Sequence, residues 1–278
     1  MSSETEISDD LWNNMITALT PRLKDKAPNV RLWAIKAVHR LQNPNDENDV
    51  IMSEICRLMT SDTNKDVRVA ATELISITKV TLPLLVDRVK DIKTEVRVAA
   101  INHLAKDVDV RHLTASYRAT IVRFGLNDRD ADVNRATREL ILKWLDRTAL
   151  DNRVHKLLQL VNLQNNEEEA ELVGLTIMAE VDKSSNSDPE IDNKTTDTLK
   201  VSSSLKQAVA SQCPDWNSGF KGISASEVLW ALLRCEYAFA HYAPHAAAQV
   251  KETLIPGIIF STYLLPSFLP SFLTILHL

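Results

Sequence analysis

Apolar positions recur at helical spacing along the first half of the chain. Val30, Trp33, Ala34, Ala37, Val38 and Leu41 fall at i, i+3, i+4, i+7, i+8 and i+11, which is one continuous stripe of an α-helix. Val96, Ala99, Ala100 and Leu104, with His103 beside them, make a second stripe, and Val133, Ala136, Leu140, Ile141 and Trp144 a third. Shorter apolar helices are predicted between them. One carries Val50, Ile51, Ile55, Leu58 and Met59, and another Leu113, Tyr117, Ile121 and Phe124. A third lies around residues 82–89, with Pro83 in its first turn, where a missing N–H costs nothing. The pattern breaks in the Ser-rich stretch 182–204. It resumes near residue 224 with Val228, Leu229, Leu232, Leu233, Tyr237 and Phe239, and a further helix is expected over 245–255, before Pro256.

The stripes open on a shared ten-residue phrase. "DKAPNVRLWA", "DTNKDVRVAA", "DIKTEVRVAA" and "DRDADVNRAT" align on Val30, Val67, Val96 and Val133, at spacings of 37, 29 and 37. Asp stands five residues before the Val in every copy: Asp25, Asp62, Asp91 and Asp128. Arg follows it in three, Arg31, Arg68 and Arg97, and the fourth has Asn134 and then Arg135. Periods of this length mark tandem helix-turn-helix modules, because one pair of helices cannot bury its stripe and stacked pairs can. The fold class expected is all-α, an α-solenoid of HEAT (armadillo-like) helical-pair repeats. Residues 1–181 are expected to form the solenoid, 182–204 a flexible Ser-rich insertion, 205–265 more solenoid, and 266–278 an apolar tail.

Composition narrows the chemistry. Gly is scarce, five in 278 residues with none before Gly125, so no phosphate-cradling Gly loop precedes that point. "GISAS" at 222–226 lacks the closing Gly of a nucleophile elbow, and no Cys-x-x-Cys occurs. Cys56, Cys213 and Cys235 are odd in number and far apart, and read as buried free thiols in a reducing compartment. His241 and His245 have zinc spacing, but Pro244 interrupts the turn and no Glu follows His241, so packing or surface roles are preferred. Asp128, Asp130 and Asp132 open a helix, where carboxylates stabilise the N-terminus without catalysis. No enzyme activity, cofactor, metal or small-molecule substrate is expected. The first residues form no signal peptide. The apolar stretch after Glu252 is long enough to span a bilayer, but it holds Pro256, Pro266 and Pro270 and lacks flanking cations, so a membrane role is not expected.

Charge is uneven under the net −5. Residues 22–160 carry 25 Lys and Arg against 19 Asp and Glu, and residues 161–278 carry 7 against 14. The cationic excess coincides with the repeats and points modestly to an anionic partner. Its best cluster is Arg88, Lys90 and Lys93, in the turn before the third copy. Arg22, Lys24 and Lys26 precede the first copy, and Arg123 and Arg129 flank the fourth. A solvated solenoid edge is the plainer reading of each.

Several stretches exceed the generic repeat pattern: "RLKDKAPNVR" with "RLQNPND", "KVTLPLLVDRVKDIKTEVR", "GLNDRDADV", "LLQLVNLQNNEE" and "LWALLRCEY". In this order, from about residue 9 to 265, they resemble the condensin complex subunit 3 family, the CAP-G-type HEAT subunit. The Ser-rich segment and the tail depart from that pattern, and the chain reads as an internal portion of such a subunit or an incomplete gene model. The resemblance implies that Asp25, Arg31, Asp62, Arg68, Asp91, Arg97 and Asp128 form a structural ladder between repeats. It also implies a non-catalytic subunit that binds a kleisin (CAP-H-type) subunit and, through it, the SMC ATPase pair. With the kleisin it would grip double-stranded DNA, independent of sequence, for mitotic chromosome condensation in the nucleus, with part of the cell cycle spent in the cytoplasm. The alternative is a HEAT scaffold or adaptor that binds only protein.

Overall fold

The computed structural model describes residues 8–146, 154–162 and 165–186, together with Glu227, Leu229, Trp230 and Leu233. Every regular element among them is helical. In order they are α1 (Asp9–Leu19), α2 (Pro28–Val38), α3 (Val50–Ser61), α4 (Lys65–Leu74), α5 (Thr81–Asp87), α6 (Thr94–Asp107), α7 (Ala115–Leu126), α8 (Ala131–Asp146), α9 (Val154–Val161) and α10 (Glu167–Asn186). Successive pairs, α1/α2 to α7/α8, are the modules that the repeat foretold. Val30, Val67, Val96 and Val133 are each the third residue of the second helix of a pair. The all-α helical-repeat architecture is therefore the observed one.

The chain divides into two compact units, residues 1–112 with 127–136, and residues 113–126 with 137–278. In the first, α2, α4 and α6 stack side by side, and α3 packs on its partner α4. The small pairs Ala70/Ala71 and Ala99/Ala100 are buried in this stack, where a methyl lets backbones approach closely. Ile51, Ile55, Leu58 and Met59 of α3 close the core from the other side. Asp49 and Asn64 cap α3 and α4 by accepting two backbone N–H bonds each, satisfying donors that a helix start leaves open. In the second unit α7, α9 and α10 pack together around Ile121, Leu157, Val161, Val173 and Ile177. Asn162 ends α9 with φ 67°, a left-handed conformation that Asn tolerates better than other side chains.

Three expectations need correction. The first stripe is rotated: Ile35 joins Ala34, Val38 and Leu41 inside, while Val30 is 37% and Trp33 66% exposed, and Ala37 lies outside too. Ala70 and Ala99, the counterparts of Trp33, are buried because a neighbouring module covers them; the described residues place no such cover on α2. Phe124 of α7 faces outward at 43% exposure, and the buried face of α7 holds Arg118, Ala119, Ile121, Val122 and Gly125. Helix α10 runs on to Asn186, into the segment expected to be a flexible insertion from 182. Leu229, Trp230 and Leu233 are helical and buried, as the resumed pattern implied. The remainder of 182–204, the 245–255 helix, the apolar tail, Cys213, Cys235, His241 and His245 lie outside the described residues. Among the described residues no helix is long and apolar enough to cross a membrane.

Candidate functional site

The repeated Asp and Arg residues assemble along one edge of the first unit, at the turns joining the two helices of each pair. Arg31 donates from Nε and Nη2 to the Asp62 carboxylate at 2.7 and 2.8 Å. Arg68 does the same to Asp91 at 3.0 and 2.9 Å, and Arg97 to Asp128 at 2.7 and 2.9 Å. Each pair is a two-pronged guanidinium–carboxylate contact, a geometry that fixes orientation as well as charge. The third prong of each arginine turns back to its own module: Nη1 reaches the carbonyl of Asp25, Asp62 and Asp91 respectively, at 2.8, 2.8 and 3.0 Å. The aspartates in turn accept the backbone N–H two residues on, at Ala27, Asn64, Lys93 and Asp130, each at 2.9 Å. One arginine thus ties its own turn to the next module's turn, and one aspartate both folds a turn and receives a guanidinium. The repeat needs Asp five residues before Val and Arg one after because that spacing brings both to the same turn.

Burial pushes the Asp62 carboxyl up, but Arg31 and the Asn64 N–H outweigh it and hold it below the usual carboxylate range. Hydrogen bonding to Asp62 raises the Arg31 guanidinium in turn, against desolvation. Nearby, burial of Glu54 is outweighed by Lys24 and Arg57, which keep that carboxyl low as well.

The structure sorts the eight cations expected to face an anion. Arg88 is largely enclosed and ion-paired to Asp87 at 2.6 Å and to the ladder residue Asp91 at 3.6 Å, so its charge is balanced where it stands. Lys24 pairs with Glu54 at 2.8 Å. Arg123 pairs with the buried Glu169 at 2.5 Å, in the second unit. Arg22, Lys26, Lys90, Lys93 and Arg129 are exposed. Lys26 and Arg129 directly follow a ladder aspartate and Lys93 comes two after one, so the ladder brings these three to the same edge. Exposed acids, Asp66, Asp87 and Glu95, share that edge, and Lys65 is paired to Glu95.

Other buried polar contacts lie outside the repeated phrase. His103 sits on the core face of α6, where its Nδ1 donates to the Thr72 carbonyl at 2.6 Å, joining α6 to α4. In the second unit Arg118 donates to the Leu160 carbonyl, and Arg138 pairs with the buried Glu180 at 2.7 Å. An alternating Asp/Arg register announces the ladder, but single buried ions announce nothing until the helices meet. Among the described residues no cluster of His, Cys, Asp or Glu is arranged to hold a metal.

Tandem helical pairs locked by an Asp/Arg ladder define the class: a HEAT-type α-solenoid. Comparison with known proteins narrows it. No family model matches the chain. It is 34% identical to condensin complex subunit 3 of Homo sapiens over 171 residues, 61% of this chain and 17% of that protein. It is 35% identical to condensin complex subunit 3 of Xenopus laevis over 169 residues, 60% of this chain and 16% of that protein. The same protein of Schizosaccharomyces pombe is 32% identical over 170 residues, covering 60% and 19%. The solved S. pombe condensin Cnd3-Cnd2 subcomplex matches at a TM-score of 0.67 and 25% identity, over 89% of this chain and 30% of that one. The chain is therefore similar in sequence and in fold to condensin complex subunit 3, and the resemblance seen in its motifs holds. It spans less than a fifth of the length of these curated relatives.

Proposed function

We propose that this chain acts as part of a non-catalytic HEAT-repeat subunit of condensin. It binds the kleisin subunit and double-stranded DNA in mitotic chromosome condensation, and it works in the nucleus on chromosomes. The observation that carries the reading is the shared similarity to condensin complex subunit 3, joined to a fold match with a complex of Cnd3 and Cnd2. The kleisin link to the SMC ATPase pair belongs to the same reading and places nucleotide chemistry on other subunits.

The ladder edge supports the DNA part by its chemistry. Lys26, Lys93 and Arg129 are exposed on turns whose backbone the Asp/Arg ladder holds still. Cations on rigid turns meet phosphates at little entropic cost and read no base sequence, which suits a clamp on any duplex. The interspersed acids limit this edge to a modest attraction, so a second component such as the kleisin has to complete the grip.

A salt titration of duplex DNA binding, with and without a kleisin fragment, tests the reading. The expected result is an affinity that falls steeply on a log–log salt plot and rises when the fragment is present. If DNA fails to bind even with the kleisin fragment, the DNA-gripping role is lost and the protein-only scaffold takes its place.

A further inference from the structure

The helical pairs of the first unit have a second edge, where one module connects to the next, and its 42–49 connection is acidic. There a groove of 550 Å³ opens between the 42–49 connection, the 75–80 connection and the start of α3. Met52, Ile77, Val80 and Leu84 line it, with the half-buried Cys56. Val80 is 61% exposed at its lip and extends the apolar lining of Met52, Ile77 and Leu84 to the surface. Asp46 and Glu47 stand exposed on one side, and Lys79 is the only cation among the lining residues. Burial pushes the Cys56 thiol up, which favours the neutral thiol over the thiolate.

The backbone of the groove is also open. Ile75–Thr78 runs outside any helix, with Ser76 N–H bonded to Gln42 and its carbonyl to the Thr81 hydroxyl. Thr78 is bonded at N–H and carbonyl. Between them, neither backbone group of Ile77 has a hydrogen-bond partner among the described residues. Ile77 lines the groove, and backbone groups without an internal partner are ones that a docking extended peptide can engage through its main chain.

We propose that this groove is a docking site for an extended linear segment of a partner protein, with an apolar side chain seated against Met52 and Ile77 and an adjacent Lys or Arg facing Asp46 and Glu47. The acids select the occupant. They repel phosphate backbones, so this edge is not a second DNA surface, and they complement a basic residue placed next to the anchor. The volume holds an anchor side chain or two, not a folded domain. The site does not depend on the condensin reading.

Panning a phage library of random dodecapeptides against the full chain tests it, followed by fluorescence polarisation with the best synthetic dodecapeptide. Enriched peptides should pair Leu, Ile, Met or Phe with a nearby Lys or Arg. Glu47→Lys and Val80→Asp should each weaken that peptide roughly tenfold or more. Both side chains are exposed, so an unchanged melting curve separates lost docking from lost folding. Val80→Asp precedes the first turn of α5, where an acid is tolerated, and keeps the test alive if the other variant is unstable. No enrichment, enrichment without basic residues, binding that survives both variants, or competition by duplex DNA would each overturn the proposal.

Discussion

Arg68 is the most enclosed of the ladder arginines, with its side chain 7% exposed and its partner Asp91 4%. Removing one member of a buried pair leaves the other charge uncompensated, so Arg68→Ala should cost about 3–5 kcal/mol by urea denaturation. Lys65→Ala, in a pair 43% and 51% exposed, should leave the urea midpoint close to that of the parent, because solvent and salt screen an exposed pair. Acid should act through Asp62 and Glu54, whose carboxyls are both held low in the fold. A carboxyl with a depressed folded pKa stabilises fully above its unfolded value, and that stability is lost as pH falls through the folded value. Melting temperature should therefore hold from neutrality to about pH 5 and drop below about pH 4, and Asp62→Asn should flatten that drop while lowering the plateau. The ladder roles of Arg68 and Asp62 were implied by the family resemblance, which rests on Asp and Arg repeating in register, whereas the partners of Glu54 and Lys65 carried no such mark. Nor did those of Arg88, because it stands two modules away in register from its only look-alike, Arg22, and only one of the two meets a ladder aspartate.

Among the helices, positions were easier to read than faces. Val67, Val96 and Val133 are buried at the third position of their helices, and Val30 holds that position without burial. A stripe predicts that a helix has an apolar side, but a residue is buried only if another element arrives to cover it. Gly125 shows the same dependence. A Cβ there would run into the Thr137 hydroxyl and lie 2.9 Å from its Cβ, and Thr137 is fully buried. Glycine inside a helix is ordinarily a cost, so propensity alone predicts that Gly125→Ala stabilises α7 by about 1 kcal/mol. The close approach reverses the sign: Gly125→Ala should destabilise by about 1–3 kcal/mol in chemical denaturation. Adding Thr137→Ala should restore part of the loss.

Across the molecule, the proposed DNA contact depends on which cations the stack leaves exposed. Charge reversal of Lys26, Lys93 and Arg129 together should weaken duplex binding and reduce the log–log salt slope by about 2–3, since each phosphate contact contributes about 0.9. Their exposure predicts a melting temperature close to that of the parent chain. Including Arg88 in the same variant should lower it, because Asp87 and Asp91 would lose a partner. The helical modules and the four aligned phrases that open their second helices follow from the order of residues, because a period repeated at fixed spacing constrains equivalent local structure, and the family resemblance those phrases carry implied the ladder. Packing chose which side of α2 is core, which cations are already neutralised, and where an acidic trough opens between two connections. Those outcomes depend on residues far apart in the chain meeting in space, and no local pattern carries the position of a neighbour.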